Sequence, residues 1–250
     1  MQAFARPFLS CGVRVFSAWQ ANAVPVIEYA TSQILLASKG FFSVSGPKSG
    51  PDDIRASKKV FALYPGNYDA KVGILGDGAI GSKVILELPR HRLEVYVFSI
   101  TMTKERADEL GVRLASPEEI FAECDVISNH LANNERTKGL INRSLLSSMK
   151  DTAVFINTGR GAQVDEDALC DALEARPNAC AVLDVTFPEP PLQGSRLYSL
   201  RNVFLTPHIA GSSGNEVRRM AEYMYEEYVR VSSGRDPLYE VTAEMLGTMA

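Results

Sequence analysis

The stretch LTPHIAG (205–211) places His208, one of three histidines in 250 residues, between a proline and a glycine. An imidazole is the side chain best suited to gaining and losing a proton near neutral pH. A histidine in the middle of a helix or strand would rarely have such neighbours. Upstream, VFINTGRG (154–161) carries Arg160, and AVLDVTFPEP (181–190) carries Asp184 and Glu189. Taken singly, each of these residues fits a surface ion pair or a satisfied loop histidine better than a site. Their common position, just past the end of an apolar run, argues for a shared purpose.

A glycine pattern points to the same edge. GILGDGAIG (73–81) contains Gly76, Gly78 and Gly81 in Gly-x-Gly-x-x-Gly spacing around Ala79 and Ile80. Between a strand and a helix, the first glycine permits a tight turn. The second lets backbone approach a pyrophosphate, and the third lets helix and strand pack closely. Asp77 does not help a pyrophosphate and is read as pointing to solvent. A dinucleotide loop of this kind expects an acid about 20 residues further on to hold a ribose. Here the strand EVYVFSI ends in Ser99 and Ile100, followed by Thr101, Thr103, Lys104 and Arg106. Two readings stay open: a plain surface loop, or an altered preference for NADP.

The elements that must present these residues follow from the apolar pattern. Residues 11–18 alternate like a strand, and 24–42 have helical spacing with Pro25 suited to a first turn. Residues 43–53 are a turn-rich connection. From residue 70 onward strands and helices alternate. Strands are expected over 70–76, 93–100, 125–131, 152–159, 179–185 and 202–208. Short helices lie between them. One is 104–111 with a glycine cap, and another 116–123, where Ser116 and Glu119 form a capping box. Residues 215–234 read as an exit helix. This order implies an α/β fold, a Rossmann-like doubly wound parallel sheet, with ligands beyond the carboxyl ends of the strands.

Bulk composition is that of a globular protein, with 46% hydrophobic and 22% charged residues. A net charge of −4 without a basic block argues against a nucleic-acid surface. No apolar run approaches the length of a membrane span. Cys11, Cys124, Cys170 and Cys180 show no Cys-x-x-Cys pair or metal-ligand spacing, and read as reduced core residues of a cytoplasmic protein.

In order along the chain, VGILGDGAIG, NTGRGAQVDEDAL, LDVTFPEPPL and NVFLTPHIAG resemble the motifs of the D-isomer-specific 2-hydroxyacid dehydrogenases, the family of phosphoglycerate dehydrogenase and hydroxypyruvate/glyoxylate reductase. The resemblance spans roughly Val13 to Gly234. It implies NAD or NADP as cofactor and hydride transfer to or from a small 2-hydroxy or 2-keto acid. It places the family's arginine at Arg160, its glutamate at Glu189 and its acid/base at His208. The nicotinamide-side aspartate falls on Asp184. Expected cofactor contacts are Gly76, Gly78, Ala79, Ile80, Gly81, Ser99, Thr158, Gly159, Arg160, Asp184, His208 and Gly211. Ser99 departs from the family's ribose-binding aspartate. A formate-dehydrogenase-like reading would pair the histidine with glutamine, and Glu189 speaks against it. The chain starts near the end of the family's first domain. Residues 1–65 are therefore read as the remnant of a flavodoxin-like substrate domain, 66–212 as the dinucleotide domain, and 213–250 as the exit helix and tail. The resemblance further implies a homodimer. The alternative is a truncated, catalytically silent dinucleotide-binding protein. On the truncated reading, Ile34, Leu35 and Tyr225 should be exposed.

Overall fold

The computed structural model describes residues 2–247. Its centre is a seven-stranded, wholly parallel sheet built from β2 (Ala70–Leu75), β3 (Leu93–Phe98), β4 (Arg113–Leu114), β5 (Val126–Asn129), β6 (Val154–Asn157), β7 (Cys180–Leu183) and β8 (Val203–Leu205), in the order β4-β3-β2-β5-β6-β7-β8. Counted from Ala70, that order is 3-2-1-4-5-6-7, the doubly wound pattern whose direction reverses beside its first strand. β1 (Val15–Phe16) lies outside the sheet and pairs antiparallel with β9 (Glu240–Val241).

Strand residues alternate between two cores, because successive side chains leave a strand on opposite faces. Ile127, Phe155, Ala181 and Leu183 pack on one face with α7 (Pro117–Glu123), α8 (Arg143–Ser147) and α9 (Glu166–Ala175). Val126, Val154, Ile156, Cys180 and Val182 pack on the other with α2 (Trp19–Ser38) and α5 (Gly81–Glu87). Burial on both faces explains why the strands read as unbroken apolar runs.

Several elements differ from the sequence reading. α2 begins at Trp19, so Pro25 sits inside the helix and not in its first turn. A proline there forgoes one backbone bond, but Ala21, Ala23, Val26 and Ala30 are buried, which holds the helix on the sheet. Ile34, expected to be exposed, is fully buried in the same contact, whereas Tyr225 of α10 (Val217–Ser232) is 69% exposed as expected. The strand expected over 11–18 shrinks to β1, preceded by α1 (Gln2–Ser10). The connection 43–53 holds the end of α3 (Phe41–Val44) and the start of α4 (Pro51–Phe61). Ser116 caps α7 as expected, but the Glu119 carboxylate pairs with Arg113 on the neighbouring edge strand and leaves the box half made. Cys11 is exposed, while Cys124, Cys170 and Cys180 are buried free thiols. At the C-terminal end, buried Glu227 of α10 accepts the backbone N–H groups of Leu238 and Tyr239 and ties the tail to the helix.

Phe155 is fully buried at the centre of β6, 6.1 Å from the Phe121 ring. Phe155→Ala should therefore cost about 3–5 kcal/mol of stability through lost burial and an unfilled cavity, read as a lower urea midpoint at unchanged slope.

Candidate functional site

Because β2 and β5 lie side by side, Gly76 at the end of one faces His130 at the end of the other. The His130 N–H donates to Leu75 O at 2.8 Å. Gly76 turns at φ 91°, and a Cβ there would come within 3.0 Å of His130 O. A Cβ on Gly81 would fall 2.0 Å from Gly76 O. The outer two glycines are thus closed against protein. Gly78 has nothing within 4 Å of a built Cβ and faces a cleft of about 370 Å³. That combination fits a dinucleotide, which needs backbone exposed at the middle of the loop.

The same cleft is lined by Ala79, Ile80, Thr158, Gly159, Arg160, Asp184, His208 and Gly211. Of the residues expected at the site, Gly76 and Gly81 support the cleft from behind. Glu189 reaches it through His208, and Ser99 stands apart at the end of β3.

Asp184 is almost wholly buried. One of its carboxylate oxygens accepts from the Thr206 hydroxyl at 2.6 Å and from Ile209 N at 2.8 Å; the other accepts from Ala210 N at 2.9 Å. Its backbone oxygen accepts from His208 N at 3.1 Å. The turn so held places His208 at φ 57°, a left-handed conformation that costs a non-glycine residue on the order of 1 kcal/mol or more. Charge-assisted bonds of this kind contribute roughly 1.5–3 kcal/mol each and outweigh that strain. The His208 Nδ1 lies 2.7 Å from Glu189 Oε1, with both side chains nearly half exposed. With Nδ1 engaged, Nε2 is the nitrogen left for exchange of a proton.

Sequence reasoning missed the supports behind this turn. Tyr29 Oη lies 3.2 Å from Thr206 Oγ1. Since Thr206 gives its only hydroxyl proton to Asp184, Tyr29 must be the donor. Asn22 Oδ1 accepts from Ser212 N at 2.9 Å. Both residues lie on α2, so that helix braces the loop as well as the sheet. Arg160 is carried by a buried amide network. Asn129 Nδ2 donates to Asn157 Oδ1 at 2.9 Å and to Gln163 Oε1 at 2.7 Å, and Gln163 Oε1 also accepts from Arg160 N at 3.1 Å. Gln163 Nε2 donates to Leu131 O and Ala132 O. Two asparagines ending otherwise apolar strand runs, DVISN and VFIN, were the available signal.

Burial also acts on groups away from the cleft. It pushes the thiols of Cys124 and Cys170 up to about 12 and 11, and chiefly burial raises the Tyr29 hydroxyl. Among the described residues no cluster of His, Cys, Asp and Glu could hold a metal, and no helix is long and apolar enough to cross a membrane.

Residues 53–210, more than half of the chain, match the family described as D-isomer specific 2-hydroxyacid dehydrogenase, NAD binding domain. The chain belongs to that family. It is 30% identical over 223 residues to D-3-phosphoglycerate dehydrogenase of Archaeoglobus fulgidus, covering 89% of this chain and 42% of the relative. To glyoxylate reductase of Aeropyrum pernix it is 37% identical over 175 residues, 70% of this chain and 52% of that one. The chain thus spans about half or less of these relatives. Among solved structures, the D-isomer specific 2-hydroxyacid dehydrogenase of Xanthobacter autotrophicus Py2, in complex with NADPH and MES, superposes with a TM-score of 0.70 at 26% identity, over 94% of this chain and 93% of that one. The D-mandelate dehydrogenase of Rhodotorula graminis shares the fold, with a TM-score of 0.81 at 21% identity over 96% of this chain and 71% of that one.

His130 supplies a pH test of the packing behind the glycine loop. Burial pushes its pKa down from 6.5 to about 4. The unfolded ring takes a proton below about 6.5, so the stability it contributes is complete above that pH and is lost as pH falls through about 4. The shift corresponds to at most roughly 3 kcal/mol. Urea midpoints measured from pH 7 to pH 4 should fall less steeply in His130→Asn than in the unmodified chain.

Proposed function

We propose that the chain is the catalytic and cofactor-binding part of an NAD(P)-dependent oxidoreductase that interconverts a small D-2-hydroxy acid and its 2-keto acid. The observation that carries this reading is the His208–Glu189 pair at 2.7 Å, placed on the same cleft as the open Gly78 and Arg160. A bound nicotinamide supplies or accepts the hydride. Gly78, Ala79, Ile80, Thr158 and Gly211 line the space that would hold the dinucleotide, and Gly76 and Gly81 shape its loop.

The work of this chain's own residues is proton transfer and positioning. In the reducing direction protonated His208 gives a proton from Nε2 to the keto oxygen, and in the reverse direction takes it from the hydroxyl. Glu189 fixes the ring through Nδ1. Arg160 offers its planar fork to the substrate carboxylate and keto oxygen. Asp184 holds the turn that carries His208, and the carboxylate oxygen bonded to Ala210 N keeps a lone pair that can accept from the nicotinamide carboxamide. The same reading includes a homodimer in the cytoplasm, in keeping with three buried free thiols. Light scattering at micromolar concentration should report twice the chain mass.

The test is a dehydrogenase assay of the chain against a panel of 2-keto acids with NADH and NADPH. Turnover is expected, and His208→Ala should reduce it by about 10²–10⁴-fold while leaving cofactor affinity nearly unchanged. Cofactor binding without turnover on any 2-keto acid would support a silent binding protein instead.

A further inference from the structure

Resting on the dinucleotide reading above, we propose that Asp77 takes over, from inside the glycine loop, the contact with the adenosine ribose that an acid at the end of the second strand makes in related folds. The consequence is a preference for NAD over NADP, where the sequence alone left both open.

β2 and β3 run parallel and in register to their ends, with Leu75 opposite Phe98, and Gly76 N donates to Phe98 O at 2.9 Å. Residues 77 and 99–101 therefore leave neighbouring strands at the same level. Ser99, at the expected acid position, is already committed. Its Oγ accepts from Thr101 N at 3.0 Å and from Met102 N at 2.8 Å, closing the turn after β3. Both lone pairs are thus used, and its proton lies beside Thr101 Oγ1 at 3.3 Å, so it has no acceptor left for a ribose hydroxyl.

Asp77 fills the gap. Its partly exposed carboxylate lies beside the turn that follows β3. The Thr101 hydroxyl is 3.2 Å from each of its oxygens. One shared proton leaves most of the carboxylate's lone pairs open, enough to accept the two hydroxyls of a ribose. A 2′-phosphate at that position would meet the same carboxylate at close range, a like-charge contact.

Two of the three basic side chains nearest the end of β3 are engaged by carboxylates of their own. Arg106 is paired with Glu109 at 2.9 Å, and Arg113 with Glu119. Lys104, exposed at the start of α6 (Lys104–Leu110), is the basic side chain in residues 99–106 without an ion pair among the described residues.

Isothermal titration of the chain with NADH and with NADPH, at fixed ionic strength, tests this without any substrate. NADH should bind about tenfold to a hundredfold tighter than NADPH. Asp77→Asn, which keeps the shape and removes the charge, should bring the two within about threefold, mostly by tightening NADPH. Thr101→Val, which frees the carboxylate from its anchor, should narrow the gap in the same direction while a thermal melt reports an intact fold. Equal binding of the two nucleotides by the unmodified chain, or an unchanged ratio in Asp77→Asn, would overturn the proposal. If neither nucleotide binds, the dinucleotide reading itself falls, and this proposal with it.

Discussion

The site depends on one buried carboxylate. Asp184 has almost no contact with solvent, yet its two oxygens take three hydrogen bonds from the segment 206–210, and its backbone oxygen takes a fourth. A buried polar group must be satisfied or it costs several kcal/mol. Here the Thr206–Ala210 turn, folded around it, satisfies it. The left-handed backbone of His208 is a consequence of that demand. The same bonds that satisfy the carboxylate hold the backbone that carries the imidazole.

The parallel sheet supplies the rest of the geometry. Glycine loop, Thr158–Arg160 segment, Asp184 and His208 all leave the carboxyl ends of β2, β6, β7 and β8, so the sheet brings them to one edge without long connections. Two buried devices tie that edge together from opposite sides. The amide network of Asn129, Asn157 and Gln163 fixes the loop bearing Arg160. From the other face, α2 reaches the His208 loop through Asn22 and Tyr29. Such networks are strongest when complete, and each member removed leaves a partner unsatisfied.

Strand positions, the glycine loop and the three polar residues at strand ends were legible in the sequence because they rest on local signals. A two-faced parallel sheet writes long apolar runs, and turn residues mark where those runs stop. What was not legible depended on tertiary contact. α4 buries none of its side chains, so no core contact marks it, and its start lies in the stretch read as a turn-rich connection. Pro51 at its start, Asp52 and Asp53 in its first turn and Lys58 and Lys59 in its last suit its two ends. β4 and β9 are two residues long and exist only through their pairing. Asn22 and Tyr29 acquire meaning only once α2 is known to cross beneath the His208 loop. Asp77 looked misplaced beside a pyrophosphate until the structure put Thr101 against it.

Amide hydrogen exchange at Ile209 and Ala210 tests the central role of Asp184 most directly. In the unmodified chain both amides should be protected, because their N–H groups are held by the buried carboxylate. In Asp184→Ala both should exchange faster by at least about tenfold, as expected for local opening of a loop that has lost its acceptor. Val182 and Leu183, held in the sheet, should keep their protection. Unchanged protection at Ile209 and Ala210 in the variant would contradict the account, since the turn would then hold its shape without the carboxylate.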